Sequence, residues 1–163
     1  MIFNVTKHNS TIYNTLLFLS RNIFFYKDLE LEDTYETRIY LMFFHYSIVI
    51  YLFKKKGEKP DQENYNNLFF YIENNLRELG FGDVAVNKKM KDLNKIFYDI
   101  LLKLSDKTKN FNINQNLSIK YFEKLKNSDE KRDNFNKYFT KFYNYCFELS
   151  VNNMIKEIQK FKF

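Results

Sequence analysis

The sequence predicts an all-α fold, a compact single-domain bundle of about six helices. Three observations lead there. Apolar residues recur at three- and four-residue spacing along most of the 163 positions. Capping and stop residues stand at the ends of those stripes. No stretch keeps the strict alternation of a half-buried strand for long. A chain of this length buries roughly 70% of its unfolded surface, and a hydrophobic fraction of 45% supplies the core. With 28% charged residues the composition is not that of a disordered chain.

The elements follow in order. A first helix is expected from about Ser10 to Phe25, with Tyr13, Leu16, Leu17, Ser20 and Phe24 on one face. The polar stretch "KDLELED" leads to Asp33, placed to cap the next helix while Glu36 reaches back in a capping box. That helix carries "IYLMFFHYSIVIYLF", Ile39 to Phe53, and ends at Lys56, with Gly57 beyond it and Pro60 barring continuation. Its apolar run is shorter than the ~17–25 residues that cross a bilayer and holds His45 and Ser47, so it reads as a helix buried on all sides. A third helix spans about Asp61 to Leu79, with Leu68, Phe69, Ile72, Leu76 and Leu79 in register. Asn87 can cap a fourth, striped by Met90, Leu93, Phe97, Ile100, Leu101 and Leu104. After the loop "SDKTKNFNINQN" come a short helix near Leu117 to Leu125 and a long one from about Asp129. The long one carries Phe135, Phe139, Phe142, Cys146 and Leu149. No repeat or linker divides the chain, so residues 1–163 read as a single domain.

Charge and composition say less about function than usual. The chain is rich in Lys, Asn, Ile, Phe and Tyr and poor in Gly, Ala, Pro and Arg, the bias of AT-rich codons. A net charge of +6 is therefore weak ground for a polyanionic partner. The same bias marks what resists it. Arg21, Arg38, Arg77 and Arg132 are the only arginines, and two of the three glycines, Gly80 and Gly82, fall within six positions of the single alanine, Ala85. One cysteine excludes an internal disulfide and fits a reducing compartment. The N-terminal "MIFNVTKHNS" has neither the order of a signal peptide nor the amphipathy of a transit peptide, so an intact cytoplasmic product is expected.

Gly80 sits where a helix ends in the left-handed region, and Phe81 is placed to pack back on Leu76. Gly82 and Asp83 then turn the chain, and Ala85 permits close approach before the next helix. The segment is a tight interhelical corner. On the following helix Lys88, Lys91 and Lys95 form a stripe opposite the apolar face, with Arg77 just across the corner. On charge alone that stripe reads as a solvated face. "GFGDVA" has two glycines of a dinucleotide fingerprint, but no third glycine and no preceding strand. Catalytic constellations are absent. His8 and His45 are the only histidines, the first in a frayed N-terminus and the second on the buried helix, where a hydrogen-bonded core histidine is the commoner case than a haem or metal ligand. Cys146 reads as a small core residue.

The segment Leu68 to Tyr98, "LFFYIENNLRELGFGDVAVNKKMKDLNKIFY", resembles the signature of the ubiquinol–cytochrome c chaperone family. Leu76, Arg77, Glu78, Gly80, Gly82, Asp83, Val86, Lys88, Lys91, Phe97 and Tyr98 match it position by position. Upstream, "SRNIFFY" is similar at Arg21, Phe25 and Tyr26, and "DTYETR…FFHYSIVI" at Asp33, Thr34, Arg38 and His45. Departures are Ile23 and Asn87 where the family usually has proline, Tyr71 where an acidic residue is common, and Asp99–Ile100 for Gly-Arg. The likeness is strongest over residues 14–104; residues 105–163 match only in being helical.

The resemblance implies a non-enzymatic assembly factor for respiratory complex III. It would bind newly made cytochrome b, with a small helical partner protein, near the ribosome exit and in peripheral contact with the inner membrane. It implies no cofactor and no small-molecule substrate, and the lack of a transit peptide points to the alphaproteobacterial branch. Arg77, Glu78, Asp83, Lys88, Lys91 and Lys95 become candidate partner-binding residues. Arg21, Asp33, Arg38, His45, Gly80, Gly82, Phe97 and Tyr98 become the structural motif. Two other classes stay open: a basic helical nucleic-acid- or ribosome-binding module, and a small-molecule or haem protein built around His45.

Overall fold

In the computed structural model, which describes residues 11–105 and 109–163, the chain is all-α. The helices are α1 (Thr11–Ser20), α2 (Ile23–Lys27), α3 (Tyr35–Lys55), α4 (Gln62–Glu78), α5 (Asp83–Lys103), α6 (Gln115–Tyr121), α7 (Asp129–Phe147) and α8 (Met154–Glu157), with 3₁₀ turns at Glu123–Leu125 and Ile158–Lys160. One antiparallel bridge, Ser105 to Ile113, is the only β-type pairing among the described residues.

The centre of the molecule is α3. Every residue from Leu41 to Ile50 is buried, so each of its faces needs a neighbour, and α1, α5 and α7 pack around it. Successive side chains on a helix point about 100° apart, and four consecutive aromatic and imidazole rings show it. Phe43 stacks on Phe69 of α4 and meets Phe97 of α5 edge-on. Phe44 turns to Phe122, Phe135 and Phe139. His45 packs on Phe25, Tyr138 and Phe142, and Tyr46 returns to Phe97. In α4 and α5 the buried positions fall on one face only: Leu68, Phe69, Ile72 and Leu76, then Val86, Leu93, Phe97 and Ile100. The C-terminal segment buries Met154, Ile158 and Phe161 and packs on α1.

Four expectations need correction. The first helix is two: Asn22 breaks it by accepting a hydrogen bond from the Phe24 N–H at 3.0 Å, which caps α2. The cap of α3 is Thr34, whose Oγ1 accepts from Thr37 N–H at 3.2 Å, so there is no capping box from Asp33 to Glu36. Asp33 instead binds Arg38 at 2.7 Å. Helix α5 begins at Asp83, not after Asn87, because Val86 N–H already donates to the Gly82 carbonyl at 2.9 Å. Finally, the short helix is α6 plus a separate 3₁₀ turn, since the Phe122 backbone departs from helical values. The expected frayed setting of His8 lies outside the described residues.

Two glycines end helices as expected. After α4, Gly80 N–H donates to Arg77 C=O at 3.0 Å and Phe81 N–H to Leu76 C=O at 3.3 Å, the double bond of a Schellman motif, with Gly80 at φ +95°. Gly57, at φ +77°, closes α3 in the same way through Lys54 and Phe53. Gly82 differs: its φ is −72°, open to any residue, and no atom would lie within 4 Å of an added Cβ. The corner therefore needs one glycine and contains two. Nothing lies near a Cβ at Gly80 either, so only backbone strain opposes substitution there. Gly80→Val should cost about 1–3 kcal/mol, and Gly82→Ala no more than ~0.5 kcal/mol, both read from denaturant unfolding. Equal costs at the two positions would contradict this account of the corner.

Candidate functional site

The structure separates the motif residues into those that hold the fold and those with no internal task. His45 belongs to the first group. It is fully buried, with Nδ1 at 2.6 Å from the Leu41 carbonyl and Nε2 at 2.8 Å from the Tyr138 hydroxyl. A carbonyl can only accept, so Nδ1 carries the proton, Nε2 accepts, and Tyr138 donates. Both nitrogens are taken within the core. Burial pushes its pKa down to about 3, with the Leu41 hydrogen bond opposing. Tyr138 was not legible as its partner, although it lies three residues from Phe135 on the same face of α7.

Phe97 is buried against Phe43, Phe69 and Tyr65. Tyr98 is half exposed, its ring 5.5 Å from that of Phe97. Arg77 reaches across the corner to Asp83 and back to Glu73 at 3.4 Å, so Arg77 and Asp83 clamp α4 to α5. Asp99, which stands where the resemblance leads one to expect glycine, joins α5 to α6. Burial favours its neutral form, but Lys103 at 2.6 Å, Lys120 at 2.7 Å and the Tyr121 hydroxyl outweigh that and hold the carboxyl well below the usual range. Cys146 is buried, and burial pushes its thiol up.

The second group lies on the surface. Lys88, Lys91 and Lys95 are exposed along α5, with no ion pair among the described residues. Beside them the corner presents Leu79 at 60%, Phe81 at 38% and Val84 at 86% exposure. The Lys89 ammonium sits 4.7 Å from the Phe81 ring centre, a cation–π contact that keeps the ring on the outside of the turn. The corner is an apolar tip rimmed by lysines.

Around α4 from the corner runs an open groove of about 1000 Å³ between α1, the start of α3 and α4. Its floor is Ile39, Met42 and Ile72, and Tyr13 stacks on Tyr71 along one wall at 5.3 Å. Arg21, Arg38 and Arg77 all line it, a convergence that their scatter through the sequence conceals. Glu78 is the single lining carboxylate and no lysine lines it.

The apolar tip, the lysine stripe and the arginine-lined groove are the surface features that this all-α protein presents around α4 and α5. The family model described as ubiquinol-cytochrome C chaperone matches residues 27–113, just over half of the chain. The chain belongs to that family. Arg38, His45, the corner and the lysine stripe fall inside the matched region, while Arg21 falls before it. Neither the curated proteins nor the solved structures returned a match.

The buried neutral His45 makes the fold sensitive to acid. Its folded pKa of about 3 lies below the unfolded value of 6.5, so between them the unfolded chain binds more protons and stability falls as pH falls. From pH 7 to pH 5 this group should remove about 2 kcal/mol, near 1.4 kcal/mol for each unit below the unfolded pKa. Denaturant unfolding at both pH values should show that loss in the native chain and its absence in His45→Gln. The same pH dependence in both would place the histidine outside the core.

Proposed function

We propose that the chain assists assembly of respiratory complex III by binding newly made cytochrome b through the α4–α5 corner and the lysine stripe beside it. Membership of the chaperone family supplies the class of work. The corner supplies the surface, and Gly82 is the observation that carries the choice. A chain whose composition discards glycine keeps one at a position where its own backbone and neighbours do not require it. A partner lying close against the turn does require it, since any side chain there would project outward into that partner.

The chemistry of the surroundings fits such a client. Leu79, Phe81 and Val84 give apolar area to a segment not yet settled in the bilayer. Lys88, Lys91 and Lys95 suit the phosphates of a membrane surface or of ribosomal RNA, where a polytopic client emerges. Among the described residues no helix is long and apolar enough to cross a membrane, so contact with the inner membrane would be peripheral, from the cytoplasmic side. A small helical partner protein is a further expected neighbour. The role is one of holding rather than of chemistry: the buried His45 and Cys146 are spent on packing.

Reversing charge in a Lys88→Glu, Lys91→Glu variant should move stability by under ~0.5 kcal/mol, as exposed substitutions do. Gly82→Leu should likewise leave a folded protein. Both should lower cytochrome b and assembled complex III in membranes while the other respiratory complexes persist. Normal complex III in the two folded variants would remove the corner from the mechanism. Normal complex III after deletion of the gene would remove the client.

A further inference from the structure

The groove between α1, α3 and α4 has a basic lining of unusual kind. Of 26 lysines and arginines in the chain only four are arginine, yet all three basic groups that line the groove are arginines. Lysine would serve for charge alone. A guanidinium is needed where a planar oxyanion is gripped through two parallel N–H groups, or where the cation lies flat on an aromatic ring. The groove brings its arginines into one lining with Tyr13, Tyr35, Phe70 and Tyr71.

Two of the three arginines are already engaged at one edge. Arg38 binds Asp33 at 2.7 Å, and Arg77 binds Asp83 and Glu73, none of these carboxylates lining the groove. Arg21 has no ion pair among the described residues and stands exposed at the end of α1. Its charge acts on the hydroxyls of both Tyr13 and Tyr26, and that of Arg38 also acts on Tyr26, so the two guanidiniums share one region. Glu78 is the one carboxylate of the lining, and Arg21 is the lining cation that no ion pair among the described residues engages, so it is the group placed to meet an incoming carboxylate.

We propose that this groove docks an amphipathic helix of a partner protein that carries carboxylates among its apolar residues. The length fits: from Phe70 to Leu79 the α4 wall runs roughly 13 Å at about 1.5 Å per residue, room for two to three turns lying alongside. The composition fits as well, since tyrosine and arginine are the side chains that anchor protein interfaces. Polar and apolar groups alternate along the α4 wall, Asn74 and Arg77 among Phe70, Tyr71 and Leu79. An acyl chain would call for an apolar tunnel with one polar mouth. The proposal extends the binding role given above without resting on the identity of the client.

Photo-crosslinking tests it in cells that express the full chain. Benzoylphenylalanine replaces Phe70, which is 51% exposed on the groove rim, and in a control it replaces the exposed Lys137 of α7. Mass spectrometry of the Phe70 adduct should identify a protein segment with apolar residues at helical spacing and Asp or Glu within a turn of them. A synthetic peptide of that segment should then bind the purified protein. Arg21→Gln, which disturbs no ion pair among the described residues, should weaken that binding about tenfold, the loss expected for one hydrogen bond to a charged group. The proposal is overturned by an adduct yield no greater than at position 137, or by adducts to lipid or nucleic acid. It is equally overturned by a segment without carboxylates, or by a peptide that binds Arg21→Gln as tightly as the native chain. Loss of the complex III role on gene deletion would be a separate result, since the crosslink reports the groove whatever the client is.

Discussion

The constraint on which the rest depends is the burial of α3 on all sides. A helix with ten consecutive buried residues, Leu41 to Ile50, cannot be covered by one neighbour, because its side chains fan around the full circle. α1, α5 and α7 must each take a sector, and the rings of Phe43, Phe44, His45 and Tyr46 assign the sectors in turn. The imidazole in that run is tolerable only if both its nitrogens are satisfied. The Leu41 carbonyl, one turn back on α3, and the Tyr138 hydroxyl do this, and the second of these bonds ties α7 to α3.

With the centre settled, α4 and α5 are left to build a surface. Their inward faces are spent on Phe43, Phe69 and Phe97, and the Schellman turn at Gly80 brings them together at a sharp corner. The last turn of α4 is where the two candidate surfaces meet. Arg77 ties the corner shut through Asp83 and lines the groove, and Leu79 lies both at the apolar tip and on the groove's edge. A bound segment that runs along the groove would therefore end at the corner, beside Gly82. On this geometry the groove and the corner are parts of one continuous face, divided by chemistry into an arginine end and a lysine end.

Much of the fold could be read before the structure, and the reasons are local. The stripes of α4, α5 and α7 are strong because each helix has one buried and one wet face. The stops at Gly57 and Gly80 are strong because only a left-handed residue completes the carbonyl pairing there. Starts were read less well. Thr34 and Asp33 are equally good caps by composition, and the choice fell to Thr34 once Asp33 was drawn to Arg38. Asn87 favours a cap by type, but α5 has already begun at Asp83, its hydrogen-bond ladder running back to the Gly82 carbonyl. The 3₁₀ and short helical turns after Asn153 give no period long enough to detect, although they bury Met154 and Ile158.

The sequence by itself determined that the chain is helical, which helix is buried, where the sharp corner falls, and which scarce arginines and glycines stand out against the compositional drift. These follow from spacing and from the intrinsic conformational freedom of single residues. Only the tertiary structure decided that Gly80 is a backbone necessity while Gly82 is not, that Arg77 and Asp83 are a clamp, and that Arg21, Arg38 and Arg77 share a groove. The first two depend on the path of the backbone through the α4–α5 turn, and the last on the angles at which α1, α3 and α4 cross. Crossing angles are set by the packing of side chains far apart in the chain, which no local pattern records.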